Sequence, residues 1–237
     1  MTPVYTYWDQ PRRLTSPANR RLLDFWALTW AAHGWVPVVL GQSDLTESDH
    51  EFHARTTDRY PTVNGRDYEN ACWKRWSALR NVGGGFFTDA DVFNFGFKPR
   101  RFDGSDFAPL QHEESIGTQW CSEYGAAHVL ELFSDPRFHS IRQPQILDGR
   151  RHLSDMLVIS RWLATPTLDT EFKNTRLCWE HKGASVLFHG GERTPAGAPL
   201  VHFSNNAMAR HAGHTDRVAA AVWLAALQGR PLPNADL

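Results

Sequence analysis

A chain of 237 residues with 41% hydrophobic and 22% charged residues has the composition of a globular domain that can bury its own core. Its net charge of −1 argues against a generally basic nucleic-acid binder. The three cysteines, Cys72, Cys121 and Cys178, are too few and too scattered for a disulfide framework or a zinc site, so we expect a reducing, cytoplasmic setting. The amino terminus lacks the pattern of a signal peptide, and the longest apolar run, Val218–Leu227, is too short to span a bilayer.

The opening of the chain predicts a β-α-β unit. Val4–Trp8 and Trp35–Leu40 are short apolar runs typical of strands. Between them, Ser16 precedes Pro17 as a helix cap, and Gly34 ends a helix whose apolar residues recur every four positions: Leu22, Trp26 and Trp30. This order predicts two parallel strands joined by a right-handed crossover.

The carboxyl end of the first strand is a candidate nucleotide site. Nucleotides bind outside the carboxyl ends of such parallel strands, and Tyr5, Trp8 and Asp9 lie there. We interpret these three residues as contacts to a nucleotide, although Tyr5 fits equally well as a core residue.

The rest of the chain alternates between helices, strands and loops. The sequence predicts a short helix at Asp49–Arg55 and a strong one at Asp67–Val82, loop-rich chain at Asn94–Gln119, helices at Ser122–Phe133 and Arg150–Leu163, strands at Ala184–His189 and Leu200–Phe203, and a last helix capped by Thr215. No repeat or linker divides the chain, which predicts a single α/β domain with a mixed, mostly parallel sheet flanked by helices.

The most informative segment is Gly83-Gly84-Gly85-Phe86-Phe87-Thr88-Asp89-Ala90-Asp91-Val92-Phe93. Glycine supplies the left-handed turn that ends a helix, and the aromatic residues favour a strand. Asp89 and Asp91 then follow at the strand's end, where positions i and i+2 project to the same side. A pair of carboxylates suits Mg²⁺ or Mn²⁺ beside a phosphate.

This segment resembles the nucleotide-sugar glycosyltransferases of the GT-A fold, in particular the group with a DxD sugar-binding region. In that group a basic residue and a leucine on a helix precede Gly-Gly-aromatic-aromatic-x-Asp-x-Asp-Val, and the corresponding residues here are Arg75, Leu79, Gly84, Gly85, Phe86, Phe87, Asp89, Asp91 and Val92. About 20 residues match closely, and this chain carries one extra residue between helix and glycines. The resemblance implies a GT-A domain over residues 1–237, with a nucleotide-sugar and metal half over about 1–100 and an acceptor half over about 101–237.

The resemblance also implies roles for single residues. Asp91 would bind the cation directly, while Asp89 would contact the ribose or act through water, and Arg75 and the residues after the first strand would hold the donor. Many GT-A enzymes complete the metal shell with a histidine from a late strand. His202 and His189 are the two candidates, and the polar residues that follow favour His202.

An inverting transfer needs a carboxylate that takes the proton of the acceptor hydroxyl. Asp155, at the start of a predicted helix, is one candidate, although a carboxylate in a first turn can also serve only as a dipole partner. Glu113 and Glu114, from a loop that could close over the site, compete for the role. Retaining transfer would need no such base, and the stereochemistry stays open.

We therefore expect a metal-dependent glycosyltransferase that uses Mn²⁺ or Mg²⁺ and a nucleotide-diphosphate sugar, with a UDP-sugar as the preferred donor. A carbohydrate is the favoured acceptor and a modified DNA base the second, with Lys98, Arg100 and Arg101 as a small basic cluster after the acid pair. Two alternatives remain: a haloacid-dehalogenase-like phosphatase, whose motif wants Thr or Val where Phe93 stands, and a non-catalytic nucleotide-sugar-binding module.

Overall fold

The computed structural model of the protein describes residues 1–9, 16–102, 104–110, 117–165, 197–204, 208 and 216–232, and the backbone of 186–188. Its strands are β1 (Thr2–Tyr7), β2 (Trp35–Leu40), β3 (Gly84–Thr88), β4 (Val92–Asn94), β5 (Phe107–Pro109), β6 (Thr118–Ser122), β7 (Gln145–Leu147), β8 (Arg150–His152), β9 (Val186–Phe188) and β10 (Leu200–His202). Its α-helices are α1 (Pro17–Ala31), α2 (Glu47–Arg55), α3 (Arg66–Asn81), α4 (Glu123–Ser134), α5 (Asp155–Ala164) and α6 (Arg217–Leu227).

The central sheet has the order β2-β1-β3-β6-β5. β1 pairs in parallel with β2 and with β3, whereas β6 runs antiparallel to both β3 and β5. The α/β architecture expected from the sequence is confirmed: a mixed sheet flanked by helices, opened by the predicted β-α-β unit. A second, three-stranded sheet has the order β4-β10-β9, and its strand β4 follows β3 directly in the chain.

The two faces of the sheet carry two separate hydrophobic cores. Phe86 and Phe87 are neighbours on β3 and point to opposite faces, as strand geometry requires. Phe86 packs with residues of α1 and α6, and Phe87 packs with residues of α3, α4 and α5. Much of the volume of these cores is aromatic. Four tryptophans are fully buried in them: Trp26, Trp30, Trp73 and Trp76.

Three sequence predictions need correction. The helix expected over Arg150–Leu163 begins only at Asp155, because Asp148 and Gly149 adopt positive φ angles of 50° and 73° and close the β7–β8 hairpin before it. The segment expected to be loop-rich contains β5 and the start of β6, whose short runs carry little periodicity. Thr215 lies outside the described residues; the side chain of Asp216 caps α6 by accepting a hydrogen bond from the Ala219 amide.

Candidate metal and donor site

A turn, and not a continued strand, brings the two aspartates together. β3 ends at Thr88, and the Val92 amide donates to the Asp89 carbonyl at 3.1 Å, so that Asp89–Asp91 bends the chain into β4. The Asp89 amide is itself held by the carbonyl of Gly117 at 2.7 Å. The strand expected to present both carboxylates therefore stops one residue before the first of them.

The register of the second sheet brings His202 to the same place. β10 runs antiparallel to β4 with His202 opposite Val92, and the Phe203 amide donates to the Asp91 carbonyl at 2.9 Å. Asp89, Asp91 and His202 each offer a ligand atom, and these atoms all lie within 4.8 Å of one another. The other predicted histidine, His189, lies outside the described residues.

The charged side chains around this group shift one another's pKa values. Burial raises the pKa of Asp89 to about 6, although Arg75 acts in the opposite direction. At Asp91 burial also opposes ionisation, but His202 and Arg217 outweigh it and hold the pKa of that carboxyl below its usual value. Burial alone would lower the pKa of His202, yet Asp91 prevails and raises it. Asp91 and the protonated form of His202 therefore stabilise each other, and a cation would bind the imidazole in its neutral form.

Two arginines flank the three ligands. Arg217, the first residue of α6, donates from Nε to the Phe203 carbonyl at 2.8 Å, and the same nitrogen lies 3.2 Å from Asp91 Oδ2 in an ion pair. Arg75 donates from Nη1 to Asp89 Oδ1 at 2.7 Å. Sequence reasoning missed Arg217, because it lies 126 positions after Asp91 and no local motif links the two.

The carboxyl end of β1 presents buried donors. The Trp8 indole N–H has no hydrogen-bond partner within the described part of the chain, and the buried Tyr7 hydroxyl lies beside Asp9, where burial and the charges of Asp9 and Asp44 raise its pKa. Asp9 accepts from Gln42 and lies 3.5 Å from the Lys74 ammonium, and burial raises its pKa. Buried donors without partners are rare unless a ligand or water meets them.

Tyr5 and Gly85 fit closely against each other on adjoining strands. A Cβ atom on Gly85 would come within 2.5 Å of the Tyr5 ring, which therefore lies over β3. The ring also packs against the core on the α3 side of the sheet. The core interpretation left open for Tyr5 accounts for these contacts.

The two predicted acceptor-side carboxylates fare differently. Asp155 is fully buried, and its oxygens accept hydrogen bonds from Arg75, Trp76 and the Met156 amide. All of these contacts are to donors of the chain itself, and the role of Asp155 as an acceptor-side base stays a prediction. Glu114, like Glu113, lies outside the described residues and its role stays a prediction.

Solved structures similar to this chain include two glycosyltransferases. No family model and no curated protein sequence matches the chain. A glycosyltransferase involved in the glycosylation of the major capsid of PBCV-1 is similar over 89% of this chain and 97% of that one, with 9% identity and a TM-score of 0.49. The glycosyltransferase GlyE of Streptococcus pneumoniae TIGR4 is similar over 98% of this chain and 65% of that one, with 8% identity and a TM-score of 0.43. Likenesses of this size assign no activity, which has to be argued from the site itself.

Within the described residues, no helix combines the length and apolar character needed to cross a bilayer.

Proposed function

We propose that the protein is a metal-dependent glycosyltransferase that moves a sugar from a nucleotide-diphosphate sugar to an acceptor. The observation that carries the proposal is the convergence of Asp89, Asp91 and His202, with ligand atoms within 4.8 Å, at the carboxyl end of β3. Two carboxylates and an imidazole form a donor set that suits Mn²⁺ and also accepts Mg²⁺. The resemblance of Gly84–Val92 to the DxD sugar-binding group supports the same assignment.

The chain's own residues would divide the work between cation and donor. Asp89, Asp91 and His202 would hold the cation, which when bound supplies charge stabilisation to a diphosphate leaving group. The buried donors of Tyr7 and Trp8 and the carboxylate of Asp9 would face the base and ribose. Lys74 holds Asp9 from α3 and would keep that carboxylate oriented.

A carbohydrate is the acceptor we favour. No observation supports a modified DNA base: in the basic cluster after the acid pair, the Arg100 guanidinium stacks about 5 Å from the rings of Phe97 and Phe102. The phosphatase alternative is not supported either. Its acid pair would be expected after the first strand, whereas Asp89 and Asp91 follow the third strand and lead directly into β4.

Incubation of the protein with UDP-sugars and Mn²⁺, followed by an assay for free UDP, tests the proposed function. Release of UDP that stops in excess EDTA and returns with Mn²⁺ or Mg²⁺ is the expected result. Full activity in EDTA would remove the role of the acid pair. Release of phosphate from simple phosphoesters would instead favour the phosphatase, and binding of the nucleotide sugar without turnover would favour the non-catalytic module.

Asp91→Asn provides a sharper test at one atom. The amide keeps the shape of the side chain between His202 and Arg217 but loses the charge that a cation needs. We expect UDP release to fall at least about 100-fold. The melting temperature should fall as well, because the buried His202 and Arg217 lose their charged partner. Asp24→Asn, on the exposed side of α1, is the matched control and should leave both quantities unchanged. Loss of folding in Asp91→Asn would indicate a structural carboxylate.

A further inference from the structure

Asp155 and Arg75 form a buried ion pair next to the candidate metal site. Asp155 Oδ2 accepts from Arg75 Nε at 3.0 Å, from Arg75 Nη2 at 2.6 Å and from Trp76 Nε1 at 2.9 Å. Asp155 Oδ1 accepts from the Met156 amide at 2.7 Å. Four donors therefore surround a carboxylate that has no exposed surface.

The pair fixes the direction of the remaining guanidinium nitrogen. Nε and Nη2 lie on one edge of the planar group, and that edge is taken by Asp155. The third nitrogen, Nη1, then points at Asp89 Oδ1 at 2.7 Å. The guanidinium carbon also lies 5.4 Å from the Trp76 ring and 5.6 Å from the Phe87 ring, which leaves the group little freedom to turn.

We propose that Asp155 is a positioning residue that acts through Arg75 to keep Asp89 oriented and available for the cation. This inference rests on the proposed function, since it assumes that Asp89 helps to hold a divalent ion. Arg75 carries one positive charge between two carboxylates, and Asp155 contributes two of the three short contacts to it. Asp155 thereby neutralises Arg75 and leaves the charge of Asp89 for the metal.

Loss of the Asp155 charge would lower the affinity of the site for a divalent cation in two ways. Asp89 would become the only carboxylate in contact with Arg75, so the guanidinium would compete more strongly with the cation. The site would also become more positive by one charge, at a place that water hardly reaches. Both effects weaken the binding of a divalent cation.

Binding of Mn²⁺, followed through the electron paramagnetic resonance signal of the free ion and without any donor, provides the test. We expect Asp155→Asn to raise the dissociation constant about 10-fold or more, the range found for groups that orient metal ligands. Asp155→Glu keeps the charge and should weaken binding less than Asn does, although the side chain is larger. A purely structural role would give the opposite order, because Glu crowds a buried site and Asn does not.

Ser122→Ala is the control for lost stability. It removes the cap of α4, a hydrogen bond from the Gly125 amide, and it touches neither Arg75 nor the metal ligands. This variant should melt at a lower temperature and bind Mn²⁺ as the wild type does. Asp155→Asn with unchanged Mn²⁺ binding but with lost transfer would overturn the inference and favour Asp155 as the acceptor-side base.

A double substitution covers the case in which Asp155→Asn does not fold. In the Arg75→Gln background there is no guanidinium to compete for Asp89, so adding Asp155→Asn leaves only the loss of one nearby charge and should raise the Mn²⁺ dissociation constant by clearly less than the roughly 10-fold expected where Arg75 is present. A large further change would show that Asp155 acts independently of Arg75 and would overturn the inference. If the wild-type chain bound no Mn²⁺ at all, the metal-dependent function and the inference would both fall, whereas loss of the Asp155 effect alone would leave the function standing.

Discussion

At the scale of single residues, the Asp91 side chain is where two distant parts of the chain meet. One of its oxygens lies 3.2 Å from His202 Nε2, and the other lies 3.2 Å from Arg217 Nε. Both partners come from the last 40 residues, while Asp91 follows the third strand. The candidate metal site therefore depends on contacts that the local sequence does not encode.

His202→Ala tests whether this histidine is a ligand. It should raise the Mn²⁺ concentration needed for half-maximal UDP release by about 10-fold or more, because one of three protein ligands is lost. The imidazole is also buried, with 3% of its surface exposed, so some loss of stability will accompany the change. A titration of activity against Mn²⁺ at saturating donor measures the effect.

His128→Ala separates the two consequences. His128 is another buried histidine, and it packs against Phe138 and Trp162 within the core formed by α3, α4 and α5, away from the candidate metal ligands Asp91 and His202 in the sequence. Its removal should lower the melting temperature and leave the Mn²⁺ requirement unchanged. Equal Mn²⁺ requirements in the two variants would contradict the assignment of His202 and leave His189 as the other candidate.

At the scale of elements, the glycines before the acid pair govern how closely β3 and β6 approach. Gly84 has a φ angle of 78°, and a Cβ atom there would come within 2.5 Å of the backbone at Cys121–Glu123. Gly83 has a similar φ of 86°, but a Cβ atom there would meet nothing within 4 Å. Both glycines therefore have a backbone conformation that would strain another residue, but only Gly84 lacks the space for a side chain.

Gly83→Ala and Gly84→Ala form a matched pair. Gly83→Ala should cost only the strain of a left-handed alanine, about 1–2 kcal/mol of unfolding free energy. Gly84→Ala adds a clash with backbone that cannot move without breaking the β3–β6 pairing, and we expect a loss above about 4 kcal/mol. Urea unfolding of both variants measures the difference, and equal losses would mean that β6 can shift away from β3.

The contact between α2 and α3 contains a buried neutral histidine. His53 has no exposed surface, and its ring nitrogens lie 3.0 Å from Thr57 Oγ1 and 2.9 Å from Ser77 Oγ. Burial lowers the pKa of His53 to about 4, and the charge of Lys74 adds to the effect. In the unfolded chain this histidine is protonated below about pH 6.5. In the folded chain it is protonated only below about pH 4.

His53 should therefore make the protein less stable in acid. Its contribution is fully present above pH 6.5 and is lost as the pH falls towards 4, and over that interval it amounts to about 3 kcal/mol. His53→Gln should lack this contribution, so the difference in unfolding free energy between variant and wild type should change by about 3 kcal/mol between pH 6.5 and pH 4. The difference between the exposed His139→Gln and wild type should not change in this way. Asp49 and Glu69 also titrate with shifted pKa values, of about 2 and about 7, and their contributions cancel in the difference. A slope that persists in His53→Gln would contradict the assignment.

The elements show what the sequence could predict and what it could not. The β-α-β opening and the segment from α3 through the glycines to Asp91 depend on periodicity, caps and turns, which act over a few residues. Arg75 and Asp155 lie 80 positions apart, so nothing in their neighbourhoods indicated that they pair. Asp155 fits the pattern of a first-turn carboxylate, and only the packing of α5 against the sheet shows that it is buried.

At the scale of the whole molecule, a cation at the proposed site would tie together segments 111 and more positions apart. Asp91 directly precedes β4 and His202 is the last residue of β10, and these two strands pair through only three residue pairs. A pairing this short gains little stability by itself. A ligand that binds only the folded chain stabilises it by about 2.7 kcal/mol at a concentration 100 times its dissociation constant.

Mn²⁺ should therefore raise the melting temperature of the wild-type protein by about 5–10 °C at that concentration, given about 2–4 °C per kcal/mol for a chain of this size. A thermal melt with and without Mn²⁺ measures the shift, and EDTA should reverse it. Asp91→Asn should show no shift, because the charged ligand shared between β4 and β10 is lost. Asp24→Asn should keep the full shift. A shift of equal size in Asp91→Asn would place the cation elsewhere, and Asp91 would then contribute to this place only through its ion pairs with His202 and Arg217, beside the β4–β10 pairing.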